Sequence, residues 1–396
     1  MKKVLLRAPL LTNSGYGVHS RQIFEWLDSR EDIDLIVECL QWGRTSWIID
    51  ENEENGIVKR IMSKSRPIDK GSIDISFQVQ LPDEWDTSLA KINIGVTALV
   101  ETDKCSFEWV DKCNSMDHVI VPSTFTKNVL KRSGIVTTKL SVIQEWFNPV
   151  LTNKSLNDKI LNDDRFKKIS DKFNVLMVGT LTSQIPEDDR KNILNTIKWA
   201  CEEFAGEENV EIILKTSFGK GSTVDKKMCR DYLKAFKEMH QLPSHPKIKL
   251  VHGNMKKEEM SALFNHRHVK CYVTATRGEG YGLPLVEAAA AGIPIVATGW
   301  SGHLEFLNKQ YFGSVDYDLV EIQKSKIDNR VFKEGFKWAN PRKESFKKEI
   351  RKVKDNYQTA KQNAKLLMKD VRFNYNKEAI KSKYNDLLSE YLEKWV

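Results

Sequence analysis

The sequence predicts an α/β protein built from two doubly wound parallel sheets, one in each half of the chain. Short apolar runs alternate with helix-like stretches along the first 150 residues, the pattern that a parallel sheet covered by helices on both faces produces. The alternation dissolves into polar residues between Asn148 and Lys172, then restarts with the apolar run Phe173-Asn174-Val175-Leu176-Met177-Val178-Gly179. With 396 residues, the chain has room for about two or three domains of roughly 100–200 residues.

In the first half, a strand over 4–8 is followed by a loop over 11–17 containing Gly15 and Gly17, and by a helix over 18–27. Further strands are expected at 33–37, 73–77, 92–99, 118–121 and 140–143, with helices at 106–113 and 123–131. After the restart, strands at 173–179, 210–214, 248–251, 270–275 and 293–297 alternate with helices at 191–204, 225–239, 256–264 and 284–291. The remainder, 342–368 and 374–395, reads as helix without strand. Leu387, Leu388, Tyr391 and Leu392 fall at helical spacing and require a partner surface. The expected domains are therefore 1–150 together with a terminal helix 374–396, a linker 151–172, and 173–373.

Composition excludes several classes. Hydrophobic residues make up 40% and charged residues 29%, which is ordinary for a globular protein and excludes a disordered or collagenous chain. No apolar run approaches the roughly 18 residues of a membrane span, and Met1-Lys2-Lys3-Val4-Leu5-Leu6-Arg7 meets charge too early for a secretory signal, so a cytoplasmic location is expected. Cys39, Cys105, Cys113, Cys201, Cys229 and Cys271 lack zinc-ligand spacing and read as reduced, packing thiols. The net charge is +8, yet residues 1–150 carry a net −3 and residues 321–396 a net +9. The basic excess therefore lies in the tail. A solvated helical face explains it, with a membrane or nucleic-acid contact as the alternative.

The chemistry concentrates in residues 277–297, Arg-Gly-Glu-Gly-Tyr-Gly-Leu-Pro-Leu-Val-Glu-Ala-Ala-Ala-Ala-Gly-Ile-Pro-Ile-Val-Ala. A glycine-rich loop leaves a strand, and a helix opens near Pro284, a position proline favours, then stops before Gly292 and Pro294. A helix N-terminus at the carboxyl end of a parallel strand suits an anion, and Gly280 and Gly282 clear side chains from its path, with Tyr281 and Leu283 beside them. Glu279 in the loop and Glu287 in the expected first helical turn flank that point. Phosphate would repel both carboxylates, so they are suited to accept hydrogen bonds from neutral hydroxyls such as those of sugars. Arg190, Lys191 and Lys215 stand at carboxyl strand ends, where cations suit a bound anion.

Residues 270–307 resemble the C-terminal signature of the retaining nucleotide-sugar glycosyltransferases with two Rossmann-like domains, the GT-B architecture, and in particular family 4, whose Glu-x7-Glu motif reads here as Glu279 and Glu287. Ser14-Gly15-Tyr16-Gly17, the run from Asp117 to Thr126, Val178-Gly179-Thr180 with Asp189-Arg190-Lys191-Asn192, and Ile212-Ile213-Leu214-Lys215 extend the resemblance. It implies two domains facing each other across a cleft, with Glu279 on the transferred sugar, Glu287 on the ribose hydroxyls, and Arg190 or Lys191 on the diphosphate. It further implies that Gly15 and Gly17 approach the donor phosphate, that Glu101 stands where relatives present a polar side chain to the sugar, and that His252, Gly253 and Asn254 lie near the nucleobase. The implied activity is retaining, metal-independent transfer from a nucleoside-diphosphate sugar to a hydroxyl acceptor, with no cofactor. Asp316-Tyr317-Asp318 spells a metal-binding D-x-D but lies beyond the donor segment, and His118 reads as a packed histidine. A same-fold epimerase or phosphorylase and a non-catalytic polyanion binder using the basic tail are the competing functions.

Overall fold

The computed structural model describes residues 1–392 apart from Arg44, Val100, 154–159, 162–163 and Lys168. The chain forms two compact units: Met1–Trp146 together with the chain from Asn374 onward, and Phe147–Phe373. The division falls before the 150 read from the sequence. The expected linker 151–172 is counted in the second unit, and its Leu151, Phe166 and Ile169 are buried there.

The first unit runs β1 (Lys2–Ala8), α1 (Gly15–Asp28), β2 (Ile33–Cys39), α2 (Ile57–Lys64), β3 (Ile75–Val79), β4 (Ile92–Val96), α3 (Phe107–Asn114), β5 (His118–Val121), α4 (Thr124–Ser133) and β6 (Lys139–Val142). The strands form one parallel sheet in the order β2-β1-β3-β4-β5-β6. β3 and β4 are buried at every position, and their polar side chains Ser76, Gln78 and Asn93 are hydrogen-bonded to one another. The fourth strand stops at Val96, short of the expected 99, because Leu99 turns the chain at φ +52°. Helix α1 starts earlier than expected. Ser14 caps it, its Oγ accepting the Gly17 amide at 2.9 Å, so Gly15 and Gly17 belong to the first helical turn instead of the preceding loop.

The second unit runs β7 (Phe173–Val178), α5 (Ile193–Glu203), β8 (Val210–Thr216), α6 (Thr223–Met239), β9 (Lys247–His252), α7 (Lys257–Phe264), β10 (Val269–Thr274), α8 (Leu283–Ala291), β11 (Ile295–Thr298), β12 (Gly313–Val315), β13 (Tyr317–Glu321), β14 (Lys337–Pro341), α9 (Lys343–Asp355) and α10 (Tyr357–Asn374). Six strands form a parallel sheet ordered β12-β11-β10-β7-β8-β9, and β13 and β14 pair antiparallel. The β12 strand and this hairpin fall in a stretch that the sequence pattern left unassigned. The single helix expected over 342–368 is two, α9 and α10, broken at Asn356.

Helix α11 (Lys377–Leu392) returns to the first unit. There Ile380, Tyr384, Leu387, Leu388 and Tyr391 join Val4, Trp26, Phe77 and Ile120 in one core, with Tyr384 stacked on Trp26 at 4.8 Å. Residues 393–396 of the expected terminal helix lie outside the described residues. Much of the basic tail is spent on pairing. Lys343 meets Glu202 at 2.6 Å, Arg351 meets Glu203 and Glu207 at 2.7 and 2.6 Å, and Lys354 meets Glu207 at 2.8 Å. Among the described residues no helix is long and apolar enough to cross a membrane.

Candidate active site

The strand order of the second sheet reverses between β7 and β10, and the carboxyl-end side of such a reversal is where open α/β sheets bind ligands. The loop after β7 ends on Asp189, whose Oδ2 accepts the Ile193 amide at 2.8 Å and whose Oδ1 takes the Thr182 hydroxyl at 2.5 Å. This carboxylate caps α5 and fixes Arg190 and Lys191 beside it. The loop after β10 is tied to them through backbone groups: the Arg277 amide donates to the Arg190 carbonyl at 2.9 Å, Arg190 Nη1 donates to the Gly278 carbonyl at 2.8 Å, and Asn192 Nδ2 donates to the Ala275 carbonyl at 2.9 Å.

Glu279 sits at the meeting of the two loops. Lys191 Nζ lies 2.7 Å from each of its carboxylate oxygens, Arg190 Nη1 lies 3.5 Å from Oε2, and the Thr276 hydroxyl donates to Oε1 at 2.9 Å. The residue is only 8% exposed. Burial alone would push its pKa up, but Lys191 and Arg190 outweigh that effect and hold the carboxyl at about 2. It is therefore an anion throughout the neutral range, fit to accept hydrogen bonds and unfit to donate a proton.

Glu287 behaves in the opposite way. It falls in the second turn of α8, one turn later than expected, because the helix opens at Leu283 with Pro284 in its first turn. Burial lifts its carboxyl to about 7, against the pull of Lys257 and Lys215. Lys215 lies within β8 instead of just beyond it, and its pKa is lowered by burial and raised by Glu287. The second unit thus brings five candidate residues, Glu279, Glu287, Arg190, Lys191 and Lys215, to the carboxyl side of one sheet, and it separates the two glutamates into one permanently ionised carboxylate and one poised near neutrality.

The glycine loop is shaped by close approach. Gly282 caps α8 at φ +104°, and a Cβ on Gly302 would lie 2.0 Å from the Gly280 carbonyl oxygen. Tyr281 is 2% exposed, and its ring packs against Phe306 at 5.1 Å. Leu283 is the half-buried first residue of the helix. Asn254 is exposed beyond β9, beside Gly221. Gly15, Gly17 and Glu101 belong to the first unit, so the second unit gathers its cluster without them. A Cβ on Gly17 would stand 2.1 Å from the Thr12 carbonyl oxygen, whereas Gly15 faces open space. His118 is buried between the hydroxyls of Tyr391 and Ser141, at 2.7 and 2.8 Å, as its packing role predicts.

Asp225, Cys229 and His252 are the described group that could hold a metal, their ligand atoms lying within 4.8 Å of one another. The Asp225 carboxylate is already engaged, accepting the amides of Phe218 and Lys220 and the His252 ring nitrogen at 3.0, 2.9 and 2.9 Å, with the Cys229 thiol at 3.3 Å. The trio anchors the loop that enters α6. Asp318 of the D-x-D pairs with Arg342 at 2.6 Å on the hairpin surface. Thr276, Ser301 and His303, which complete the surroundings of Glu279, were not singled out from the sequence. They arrive from the end of β10 and from beyond β11, and no spacing rule links them to the Glu-x7-Glu segment.

The fold is that of the GT-B glycosyltransferases. It superposes on HepE of Anabaena in complex with UDP-glucose with a TM-score of 0.67 at 12% identity, covering 98% of this chain and 100% of that one. It superposes on sucrose-phosphate synthase of Thermosynechococcus elongatus with a TM-score of 0.65 at 14% identity, covering both chains fully. A glycosyltransferase of Rickettsia africae gives a TM-score of 0.67 at 13% identity, over 99% of this chain and 98% of that one. No curated protein sequence matches the chain. Residues 225–380 match the family described as family 4 glycosyltransferase in conflict systems. The chain accordingly has the GT-B fold, and the family 4 match falls on the segment that includes Glu279 and Glu287.

Proposed function

We propose that the protein transfers a sugar from a nucleoside-diphosphate sugar to a hydroxyl acceptor with retention at the anomeric carbon. The observation that carries this reading is the buried Glu279–Lys191–Arg190 cluster at the strand-order reversal of the second sheet. When the donor enters, Arg190 and Lys191 turn toward its diphosphate, and Glu279, held ionised, accepts hydrogen bonds from hydroxyls of the transferred sugar. Glu287 takes the ribose hydroxyls. The N-terminus of α8 adds its positive dipole end to the stabilisation of the leaving group.

In the transfer, the bond from the anomeric carbon to the β-phosphate oxygen breaks, the acceptor oxygen bonds to that carbon on the same face, and the acceptor proton passes to the departing phosphate oxygen. Lys191, Arg190 and the helix dipole supply positive charge for this step, which supports a metal-independent mechanism. UDP-sugars are the first donors to test, because HepE, whose fold this chain shares, was crystallised with UDP-glucose.

Thermal denaturation against a panel of nucleoside diphosphates and nucleotide sugars tests the reading. A correct donor at 100 to 1,000 times its Kd adds about 3–4 kcal/mol of stability, and labelled donor then yields a glycosylated acceptor. Release of an epimerised sugar or a sugar phosphate instead would assign the same site to an epimerase or a phosphorylase.

A further inference from the structure

Ser301 stands at φ +94°, ψ −163°, a backbone region occupied almost entirely by glycine. The other described non-glycine residues with positive φ lie between +47° and +60°, in the ordinary left-handed well. Ser301 alone among them is outside it. Such strain persists only where the surroundings over-determine the backbone, and here they do. The Gly302 amide donates to the Glu279 carbonyl at 2.8 Å, and there is no room for a Cβ at 302 against the Gly280 carbonyl.

The hydroxyl at 301 has a defined task. His303 is fully buried, and its Nε2 lies 2.7 Å from the Thr298 carbonyl, which can only accept, so Nε2 carries the ring proton. Burial keeps the ring neutral, leaving Nδ1 as an acceptor, 3.3 Å from Ser301 Oγ. Ser301 therefore donates to His303, and its oxygen accepts the Glu279 amide at 2.9 Å. The chain of hydrogen bonds runs from the Glu279 peptide through Ser301 and His303 to the end of β11. Both backbone groups of Glu279, its N–H and its C=O, are thereby pinned by residues 301 and 302.

We propose that Ser301 is a positioning residue for Glu279, its strained backbone accepted by the fold because the hydroxyl fixes the peptide from which the carboxylate projects. This rests on the reading of Glu279 as the group that meets the transferred sugar. Two variants separate the hydroxyl from the strain. Ser301→Gly removes both, and Ser301→Ala removes the hydroxyl while keeping the strain. With the nucleotide sugar that the wild type turns over, Ser301→Gly is expected to raise the thermal midpoint yet lower kcat by about ten- to a hundredfold, with the Kd for the matching nucleoside diphosphate changed less than about threefold. Ser301→Ala is expected to lose kcat equally while melting lower than wild type. Amide hydrogen exchange at Glu279, which needs no turnover, is expected to accelerate in Ser301→Gly. A Ser301→Gly enzyme with wild-type kcat, or with an unchanged Glu279 exchange rate, would overturn the proposal. Failure of the wild type to bind any nucleoside diphosphate would instead sink the transferase reading, while the exchange result would still judge the Ser301–Glu279 link.

Discussion

The two units use the same architecture and put different chemistry at its focal point. In the first sheet the strand order reverses between β1 and β3, in the second between β7 and β10. Each unit has a glycine pressed against backbone near that point: Gly17 against the Thr12 carbonyl in one, Gly302 against the Gly280 carbonyl in the other. In the first unit the loop is lined by neutral hydroxyls, with Thr12 Oγ1 at 2.9 Å from Ser14 Oγ and the Tyr16 hydroxyl at 3.0 Å from Thr97 Oγ1. Its buried cation, Arg21, is turned inward onto the carbonyls of Leu10 and Thr12 at 2.9 and 3.0 Å and onto Glu54 at 3.3 Å. In the second unit the cations point at Glu279. A doubly wound sheet supplies a place for a ligand, and the ionised side chains brought there decide whether that place does chemistry.

Breaking the ionic cluster is expected to have the largest effect. Glu279→Gln should lower kcat by about a hundredfold or more, read from product formation. Lys191→Met should cost about 3 kcal/mol in urea denaturation, because it leaves a buried carboxylate with the neutral Thr276 hydroxyl and the more distant Arg190 as its remaining side-chain partners. A Glu279→Gln enzyme with wild-type turnover would remove the distinction between the units.

The two crowded glycines sharpen the comparison. Gly17→Ala and Gly302→Ala should each destabilise by at least about 2 kcal/mol, since an added Cβ meets backbone oxygen in both. Only Gly302→Ala strikes the Glu279 loop, so this variant is expected to lose the stabilisation by nucleoside diphosphate, measured as a ligand-dependent thermal shift.

Glu287 gives a smaller, pH-dependent signature. Its carboxyl is raised to about 7 by burial, and since the proposed role has the ionised form accept ribose hydroxyls, nucleotide affinity should weaken as pH falls below about 7. Stability runs the other way. Between the ordinary glutamate value near 4.3 and about 7, the folded chain holds a proton that the unfolded chain has released, so the contribution of Glu287 to stability declines as pH rises through that window. Glu287→Gln should abolish both trends and melt higher than wild type at pH 8 while binding nucleotide weakly. The smallest effect is expected at the D-x-D. Asp316→Asn with Asp318→Asn should leave turnover within about twofold of wild type, since Asp318 is spent on Arg342 at the surface.

The fold class and the polypeptide segment that holds the candidate site could be read from residues close in sequence. Pro284 and Gly292 bracket α8, the glycines precede it, and Glu279 and Glu287 keep their spacing whatever surrounds them. These features were legible because helix caps, turns and strand periodicity act over a few residues. The hairpin β13–β14 escaped because its strands are short and separated by an irregular loop. The packing of Tyr281 against Phe306, 25 positions away, lies beyond the reach of any local pattern.

What tertiary structure alone decided is which cation meets which carboxylate. Lys191 and Glu279 are 88 positions apart, and Ser301 reaches the Glu279 amide from 22 positions away. Sequence by itself determined the types of group and their local backbone settings. The difference between the two carboxyls, one held near 2 and one lifted to about 7, came from folding, because burial and the distance to a neighbouring charge exist only once the strands are side by side.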